Sequence, residues 1–414
     1  MLLTVSKRLE FSASRRLFVP DWSEEENLAA FGPETSARFG TGRNYIAYFI
    51  LSGDPNPANG MLVNISEIKK RALQVVSANF DHKFLNEDHE TFAKPGGTSF
   101  GSSSDVLKHV PPTAENIARQ LFVETSLRFA DLSASLAAVH LVESPDRSAT
   151  FYSNGIAESN YWFGFSAARR TMSPHLSTQE NEKLFGVSTS LHGHNYRARL
   201  TFRGDATPVA RYELVEGCIR GLYQELDHKN LNADVIGLTN RPITTESLAN
   251  YIHERAAATL PIHRVRLHER NDFFSEYWCD GNYFLGMRRR FSAAHRLQIG
   301  ELSEAENIFL FGKCSNPLGH GHLYEAEATI GGSYDQRSGA LYDFAAMQTA
   351  LEESLQPWDN KHLDLETADF RKVPSTGENI VRALWSRLNP RLEERLVRLR
   401  LWETANNRFT LREV

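Results

Sequence analysis

The feature that most constrains this chain is that it says the same thing three times. The segment Phe11-Ser12-Ala13-Ser14-Arg15-Arg16 returns as Phe165-Ser166-Ala167-Ala168-Arg169-Arg170 and again as Phe291-Ser292-Ala293-Ala294-His295-Arg296. About twenty residues after each opening, an acidic stretch closes on Phe-Gly, at Phe31-Gly32, Phe185-Gly186 and Phe311-Gly312. Next come Thr41-Gly42-Arg43, His192-Gly193-His194 and His320-Gly321-His322. They are followed by Asp81-His82-Lys83, Asp227-His228-Lys229 and Asp359-Asn360-Lys361. Then stand Thr113-Ala114-Glu115, Thr244-Thr245-Glu246 and Thr376-Gly377-Glu378, and last Glu143, Glu269 and Glu403. Six landmarks in one order, three times, define a tandem array of supersecondary units that bury their cores against one another. The expected boundaries are 1–155, 156–282 and 283–414.

The length agrees, since 414 residues fit about three domains of roughly 100–200 residues. No apolar run approaches the ~18 residues of a membrane helix, and the N-terminus lacks a basic-then-apolar leader pattern. A net charge of −5 provides no bulk electrostatic footprint for nucleic acid. Cys218, Cys279 and Cys314 are too few and too scattered for a disulfide framework, so a reducing, cytoplasmic setting is expected.

Each unit reads as strand, strand, helix, helix, strand, strand. Alternation in Tyr196-Arg197-Ala198-Arg199-Leu200-Thr201-Phe202 marks a half-buried strand. A capping box is expected at Asn64-Ile65-Ser66-Glu67, and second helices after Thr113 and Thr376. Residues 396–402 and 409–411 read as the closing strand pair. The Gly/Ser-rich stretch from Lys94 to Pro112 lies between two landmarks of repeat 1 and reads as a flexible insertion. The fold class is α+β, with helices over one face of antiparallel sheet.

Chemistry concentrates in repeat 3. His320 and His322, two apart on a strand, project from one face, and His295 ends a strand that can lie alongside. Three imidazoles with an open fourth position is the layout of a catalytic zinc site. A His-x-His pair alone has a bland reading as surface or core histidines. The triplicated frame sharpens it, because the letters that vary between copies concentrate at these positions. Cys314, six residues before His320, is either an inert buried thiol or, beside a cation, a thiolate able to remove a proton. The Asp81-His82 and Asp227-His228 pairs fit a carboxylate beside a proton-relay imidazole, or else a helix-end cap. Glu143, Glu269 and Glu403 end apolar strands; such a carboxylate either grips a ring amidine N–H pair or meets solvent.

Taken together, Phe291 to His295, Phe311 through Cys314 to His320-Gly321-His322, the Asp-His-Lys motif and Glu403-Thr404-Ala405 resemble the 6-pyruvoyl-tetrahydropterin synthase family, over essentially the whole chain and most closely in repeat 3. The five-residue gap between Cys314 and His320 resembles the biopterin-type branch rather than the 6-carboxy-tetrahydropterin branch. The resemblance implies a tunnelling fold, in which three units join their sheets into a twelve-stranded barrel with sites between units. It implies conversion of 7,8-dihydroneopterin triphosphate to 6-pyruvoyl-tetrahydropterin with loss of triphosphate. Carried over residue by residue, His295, His320 and His322 hold Zn²⁺, Cys314 is the general base, and Glu403 anchors the pterin beside Thr376 and Glu378. Glu143 and Glu269 are the corresponding carboxylates of the other copies.

Three departures shape the expectation. Asn360 stands where the family has its relay histidine, repeat 1 carries Arg15, Thr41 and Arg43 at the metal positions, and repeat 2 keeps His192 and His194 but has Arg169 and Ser188 for the remaining histidine and the cysteine. One zinc centre, in repeat 3, is therefore expected, served across a unit boundary by Asp81-His82 or Asp227-His228. A weak second site at His192 and His194, completed by His175, is the alternative for repeat 2. The expected assembly is a single-chain pseudo-trimer, monomeric or stacked as a homodimer, with a small-molecule pterin as its partner and neither nucleic acid nor membrane. The rival readings are a 6-carboxy-tetrahydropterin-type enzyme and a non-catalytic pterin-binding scaffold.

Overall fold

A computed structural model of the chain describes residues 1–37, 39–86, 107, 110–205 and 212–413. Apart from residue 107 and residues 110–112, the Gly/Ser-rich insertion expected from Lys94 to Pro112 lies outside the described residues.

Repeat 1 begins with strands β1 (Leu2–Arg15) and β2 (Thr41–Ser52), separated by helix α1 (Glu24–Phe31). Helix α2 (Ile65–Asn79), the two-residue strand β3 (Lys83–Phe84), helix α3 (Ala114–Arg128) and strands β4 (Ser135–Ser144) and β5 (Arg147–Tyr152) complete it. Repeat 2 has the same order: β6 (Ile156–Arg169), α4 (Thr178–Phe185), β7 (His192–Asp205), α5 (Tyr212–Leu226), β8 (Lys229–Asn230), α6 (Thr245–Ala257), β9 (Arg264–Arg270) and β10 (Phe273–Trp278). Repeat 3 runs β11 (Tyr283–His295), α7 (Glu304–Phe311), β12 (His320–Gly332), α8 (Phe344–Leu355), β13 (Lys361–His362), α9 (Leu363–Glu366), α10 (Gly377–Leu388), β14 (Leu396–Thr404) and β15 (Asn407–Arg412).

Two elements per repeat are additions to the unit read from the sequence. Helices α1, α4 and α7 each start on a serine whose side chain accepts from the N3 backbone while the N3 glutamate reaches back: Ser23 with Glu26, Ser177 with Glu180, Ser303 with Glu306. These reciprocal boxes hold eight-residue helices that apolar periodicity alone does not reveal. The second addition is the short parallel strand after the Asp-His landmark. The box expected at Asn64 is half made. Asn64 caps α2 through Ser66, while Glu67 lies 3.4 Å from Arg71 instead.

The twelve long strands close into an antiparallel barrel. Their order is β1-β2-β4-β5-β6-β7-β9-β10-β11-β12-β14-β15, with β10 pairing β11 and β15 returning to β1. Neighbouring repeats meet at β5–β6, β10–β11 and β15–β1. Closure removes the open edges that a four-stranded unit would expose. Along each strand the residues alternate. Tyr45, Phe49, Leu200, Met287 and Leu399 are buried in the apolar layer shared with the helices. The opposite face is polar yet also buried, with Thr201 and Glu327 at 0% and Glu276 at 1% exposure. In a closed barrel that face looks into the lumen, where side chains of all three repeats cover one another.

Candidate metal centre and its two degenerate copies

The centre is built where β11 ends and β12 begins. Antiparallel register sets His295 directly opposite His320 and His322 opposite Ala293, so all three imidazoles share one end of the ladder. Their ring centroids stand 4.5 Å (His295–His320), 4.9 Å (His320–His322) and 5.3 Å (His295–His322) apart. His295 Nδ1 lies 3.1 Å from the Ser375 carbonyl, which can only accept; the proton therefore sits on Nδ1 and leaves the Nε2 lone pair facing the cluster.

The donor set fits a metal. His295 Nε2 and His320 Nε2 are 3.2 Å apart, a spacing that either a proton on His320 Nε2 or a shared cation satisfies. His320 Nδ1 and His322 Nε2 are buried with no acceptor or donor among the described residues. Burial, followed by the neighbouring imidazoles His295 and His322, pushes His320 down to about 4, and burial lowers His322 as well. Neutral rings are the form that ligates. The three side chains each offer a ligand atom within 4.8 Å of the others.

Glu403, at the end of β14, turns its Oε1 toward this set, 3.7 Å from His322 Nε2 and 3.8 Å from His295 Nε2. Its other oxygen accepts from Asn407 Nδ2 (3.1 Å), and Asn407 Oδ1 accepts from Lys7 Nζ (2.8 Å). Lys7 belongs to repeat 1. The β15–β1 seam thus reaches the centre of repeat 3 from across the boundary. Two further bonds join the same repeats: Glu378 Oε1 accepts from the Leu62 N–H (2.8 Å), and Thr376 Oγ1 donates to the Gly60 carbonyl (3.2 Å). Burial raises the Glu378 carboxyl to about 7. Cys314 is half-buried in the turn after α7, its thiol raised by burial and then by the charge of Glu403.

The Asp-His landmark turns out to be a brace common to all copies. Asp81, Asp227 and Asp359 each accept from a backbone N–H of the first strand, at Ser12 (3.0 Å), Ser166 (2.8 Å) and Ser292 (2.8 Å). The next residue, His82, His228 or Asn360, has a left-handed φ of 55–58° and donates its N–H to the carbonyl of that same serine. The Ser166 N–H, then the partly opposing burial, and the Tyr223 and His228 side chains bring Asp227 down to about 2. The imidazoles of His82 and His228 remain more than four-fifths exposed.

In repeat 1 the metal positions are filled by a salt-bridge network. Arg15 Nη2 bonds Glu143, Arg43 bonds Glu34, and the cross distances, Arg15 to Glu34 and Arg43 to Glu143, are both 3.7 Å. Repeat 2 is intermediate. Arg169 and Thr245 bond one oxygen of Glu269, and His194 Nε2 lies 3.0 Å from the other. Against the opposing effect of burial, Arg169, His194 and Thr245 hold the Glu269 carboxyl well below its ordinary range. His192, His194 and Glu269 form a second three-donor cluster, its third member Glu269 rather than His175. The carboxylates of Glu143 and Glu269 are thus engaged by guanidinium groups, whereas Glu403 faces three histidines.

Sequence reasoning missed Ser375, Lys7 and Asn407, which orient the centre from other elements. It also passed over Tyr324, whose hydroxyl lies 3.5 Å from His295 Nδ1. A signal for the tyrosine existed: Tyr45, Tyr196 and Tyr324 each follow the Gly-centred motif by two residues, on the same strand face.

Among known proteins, the family model described as 6-pyruvoyl tetrahydropterin synthase matches residues 4–154, 160–280 and 285–414. The 6-pyruvoyl tetrahydrobiopterin synthase of Pongo abelii is 43% identical over 122 residues, 29% of this chain and 84% of that protein. The Homo sapiens protein of the same name is 41% identical over the same length and shares. A solved Caenorhabditis elegans 6-pyruvoyl tetrahydropterin synthase is 35% identical, covering 32% of this chain and 96% of that one, with a TM-score of 0.30.

Proposed function

The chain belongs to the 6-pyruvoyl tetrahydropterin synthase family, and from that premise we propose that it converts 7,8-dihydroneopterin triphosphate to 6-pyruvoyl-tetrahydropterin at one zinc centre in repeat 3. Membership makes it a lyase of the tetrahydropterin synthase type that acts on a pterin. The observation that carries the finer proposal is the concentration in one repeat of three convergent imidazoles, a cysteine and a carboxylate free of arginine. His295, His320 and His322 would hold the zinc, which supplies Lewis-acid polarisation of the substrate's side-chain oxygens. Glu403, steadied by Asn407 and Lys7, receives ring N–H groups. Cys314 removes a proton from the activated side-chain carbon. Triphosphate leaves and hydrogens shift within the substrate, so no external oxidant or reductant enters.

The relay histidine comes from repeat 1. Strand β1 pairs β2 along one edge from Thr4 to Arg15. On the other edge it pairs β15 over Leu2–Lys7 and then β3 at Ala13–Ser14. Asp81 and His82 therefore extend the seam that already brings Lys7, Gly60 and Leu62 to repeat 3. By the same register His228 extends the seam facing repeat 1, and Asn360 the seam facing repeat 2. The repeat that lost its relay histidine thus faces repeat 2, which has Arg169 and Ser188 in place of the first histidine and the cysteine. His362 is the alternative: its Nε2 would stand 2.8 Å from a Cβ on Gly319, beside the His295 carbonyl.

The test is turnover of 7,8-dihydroneopterin triphosphate by zinc-loaded protein, with triphosphate release and the product mass followed together. Release with 6-pyruvoyl-tetrahydropterin as product supports the proposal. A 6-carboxy product moves the enzyme to the other branch, and binding without turnover makes it a scaffold.

A further inference from the structure

Five residues after the aspartate of each brace stands Asn86, Asn232 or Asp364. All three accept from the backbone N–H that follows the first strand of their repeat, at Arg16 (2.6 Å), Arg170 (2.7 Å) and Arg296 (2.9 Å). The two asparagines then close a loop, their Nδ2 groups donating back to the carbonyls of Arg16 (2.7 Å) and Arg170 (3.1 Å). A carboxylate has no proton to give, and Asp364 turns elsewhere. Its Oδ2 accepts from Ser375 Oγ at 2.9 Å. Ser375 is wholly buried and precedes the cap of α10, where the other repeats have Pro112 and Ile243, neither of which carries a hydroxyl. The aspartate and the serine therefore occur together in the one copy that has three histidines.

Resting on the zinc reading above, we propose that Asp364 and Ser375 are positioning residues of the metal centre: a buried carboxylate linked through a hydroxyl to His295, which holds that ring in its ligating tautomer and places negative charge behind a divalent cation. Ser375 meets His295 Nδ1 twice, through its carbonyl at 3.1 Å and its hydroxyl oxygen at 3.4 Å. The hydroxyl hydrogen goes to Asp364, so an oxygen lone pair is left for the Nδ1–H. Every step from carboxylate to imidazole is a hydrogen-bond length, and the three side chains are 8% exposed at Asp364 and 0% at Ser375 and His295. A carboxylate behind a ligating histidine fixes the ring and raises its basicity, and in the interior its charge is weakly screened. Repeat 1 supplies the contrast. There the corresponding backbone carbonyl, that of Pro112, accepts from Arg15 at 2.6 Å. The backbone half of the support is thus common to both repeats, and the hydroxyl–carboxylate half is found where a metal has to be held.

The experiment is the zinc affinity of the full chain, measured by chelator competition, with thermal melting of the metal-free protein alongside. Asp364→Asn installs the residue with which repeats 1 and 2 make the same backbone bond. The metal-free variant should therefore melt with wild type, while its zinc affinity falls about 10–100-fold. Ser375→Ala keeps the backbone carbonyl and should weaken zinc by less. Combining the two should add little to Asp364→Asn alone, because both act through one chain of bonds. Asn232→Asp, the reverse exchange in repeat 2, should leave zinc affinity as it is. Zinc held equally by wild type and Asp364→Asn overturns the proposal. So does a lost affinity that comes with a lower melting point of the metal-free protein, or a double variant in which the two losses add in full. A wild-type chain that holds no zinc at all overturns the zinc reading itself, and this proposal with it.

Discussion

Arg15 offers the sharpest test of how repeat 1 holds together without metal. Its side chain is 1% exposed, donates to the Pro112 carbonyl at 2.6 Å and bonds Glu143, itself 4% exposed at the side chain. Arg15→Met keeps the volume and removes the charge. Glu143 would then be left buried with only Arg43, 3.7 Å away, and the Pro112 carbonyl would lose its donor. Breaking a buried pair in this way costs roughly 3–5 kcal/mol, and the residual help from Arg43 places the expectation near the lower end. With an unfolding entropy of about 2.1 cal/mol/K per residue over 414 residues, 3 kcal/mol corresponds to a fall in Tm of about 3–4 °C. Removing both partners in Arg15→Met/Glu143→Leu should recover most of the loss, because an apolar replacement of a whole buried pair is often neutral. Urea unfolding followed by circular dichroism on the four proteins of the cycle would give a coupling of at least ~2 kcal/mol. If Arg15→Met alone costs under ~1 kcal/mol, or the double variant is as unstable as the two singles added, the network is not what stabilises this copy.

Other consequences are equally open to measurement. Burial raises the Glu246 carboxyl to about 7, so the folded chain keeps a proton that the unfolded chain has lost above its ordinary ~4.3. Stability from this group is therefore complete below that value and is lost as pH rises through 7, by about 3 kcal/mol. Glu246→Gln should flatten the decline between pH 5 and 8, and an unchanged slope would remove Glu246 as its source. Metal analysis should find about one tightly held zinc per chain, lost in His320→Ala; a value near three would contradict the single-centre proposal. His82→Ala should lower turnover ~10²–10⁴-fold with zinc retained, whereas His228→Ala should be nearly silent. The reverse ranking would mean that the seam assignment is wrong. Light scattering should show one chain or two but never three, because the barrel already closes within a single chain.

Much of this architecture was legible because the landmarks sit at strand ends and helix caps, where local chemistry speaks. Thr113, Thr244 and Thr376 each cap a helix, and a His-x-His on a strand can only point one way. The short helices after Ser23, Ser177 and Ser303 were written in Ser-x-x-Glu boxes but lack the apolar stripe by which longer helices announce themselves. What stayed hidden was long-range. Nothing near Glu403 in sequence indicates that Lys7, some four hundred residues away, steadies it through Asn407. Nor could Arg15 and Arg43 be read as partners of Glu143 before the register of β1, β2 and β4 brought them to one corner. Lumen charge was hidden for the same reason: alternation marks an inward residue as polar but is silent on what it faces across a ring.

Of the three seams, two are stitched by tight turns, at residues 153–155 between β5 and β6 and 279–282 between β10 and β11. The third, β15 against β1, is held only by backbone pairing from Leu2–Arg412 to Lys7–Asn407 and by side chains packed across it. It is also the seam against which the three-histidine centre is assembled. Local opening is cheapest where no covalent turn limits separation. Fraying at β15–β1 would withdraw Lys7 and the Asp81–His82 brace while the rest of the barrel stayed paired. Activity therefore doubles as a gauge of ring closure, and in mild denaturant it should fade before the helical signal does, in step with amide exchange along these two strands.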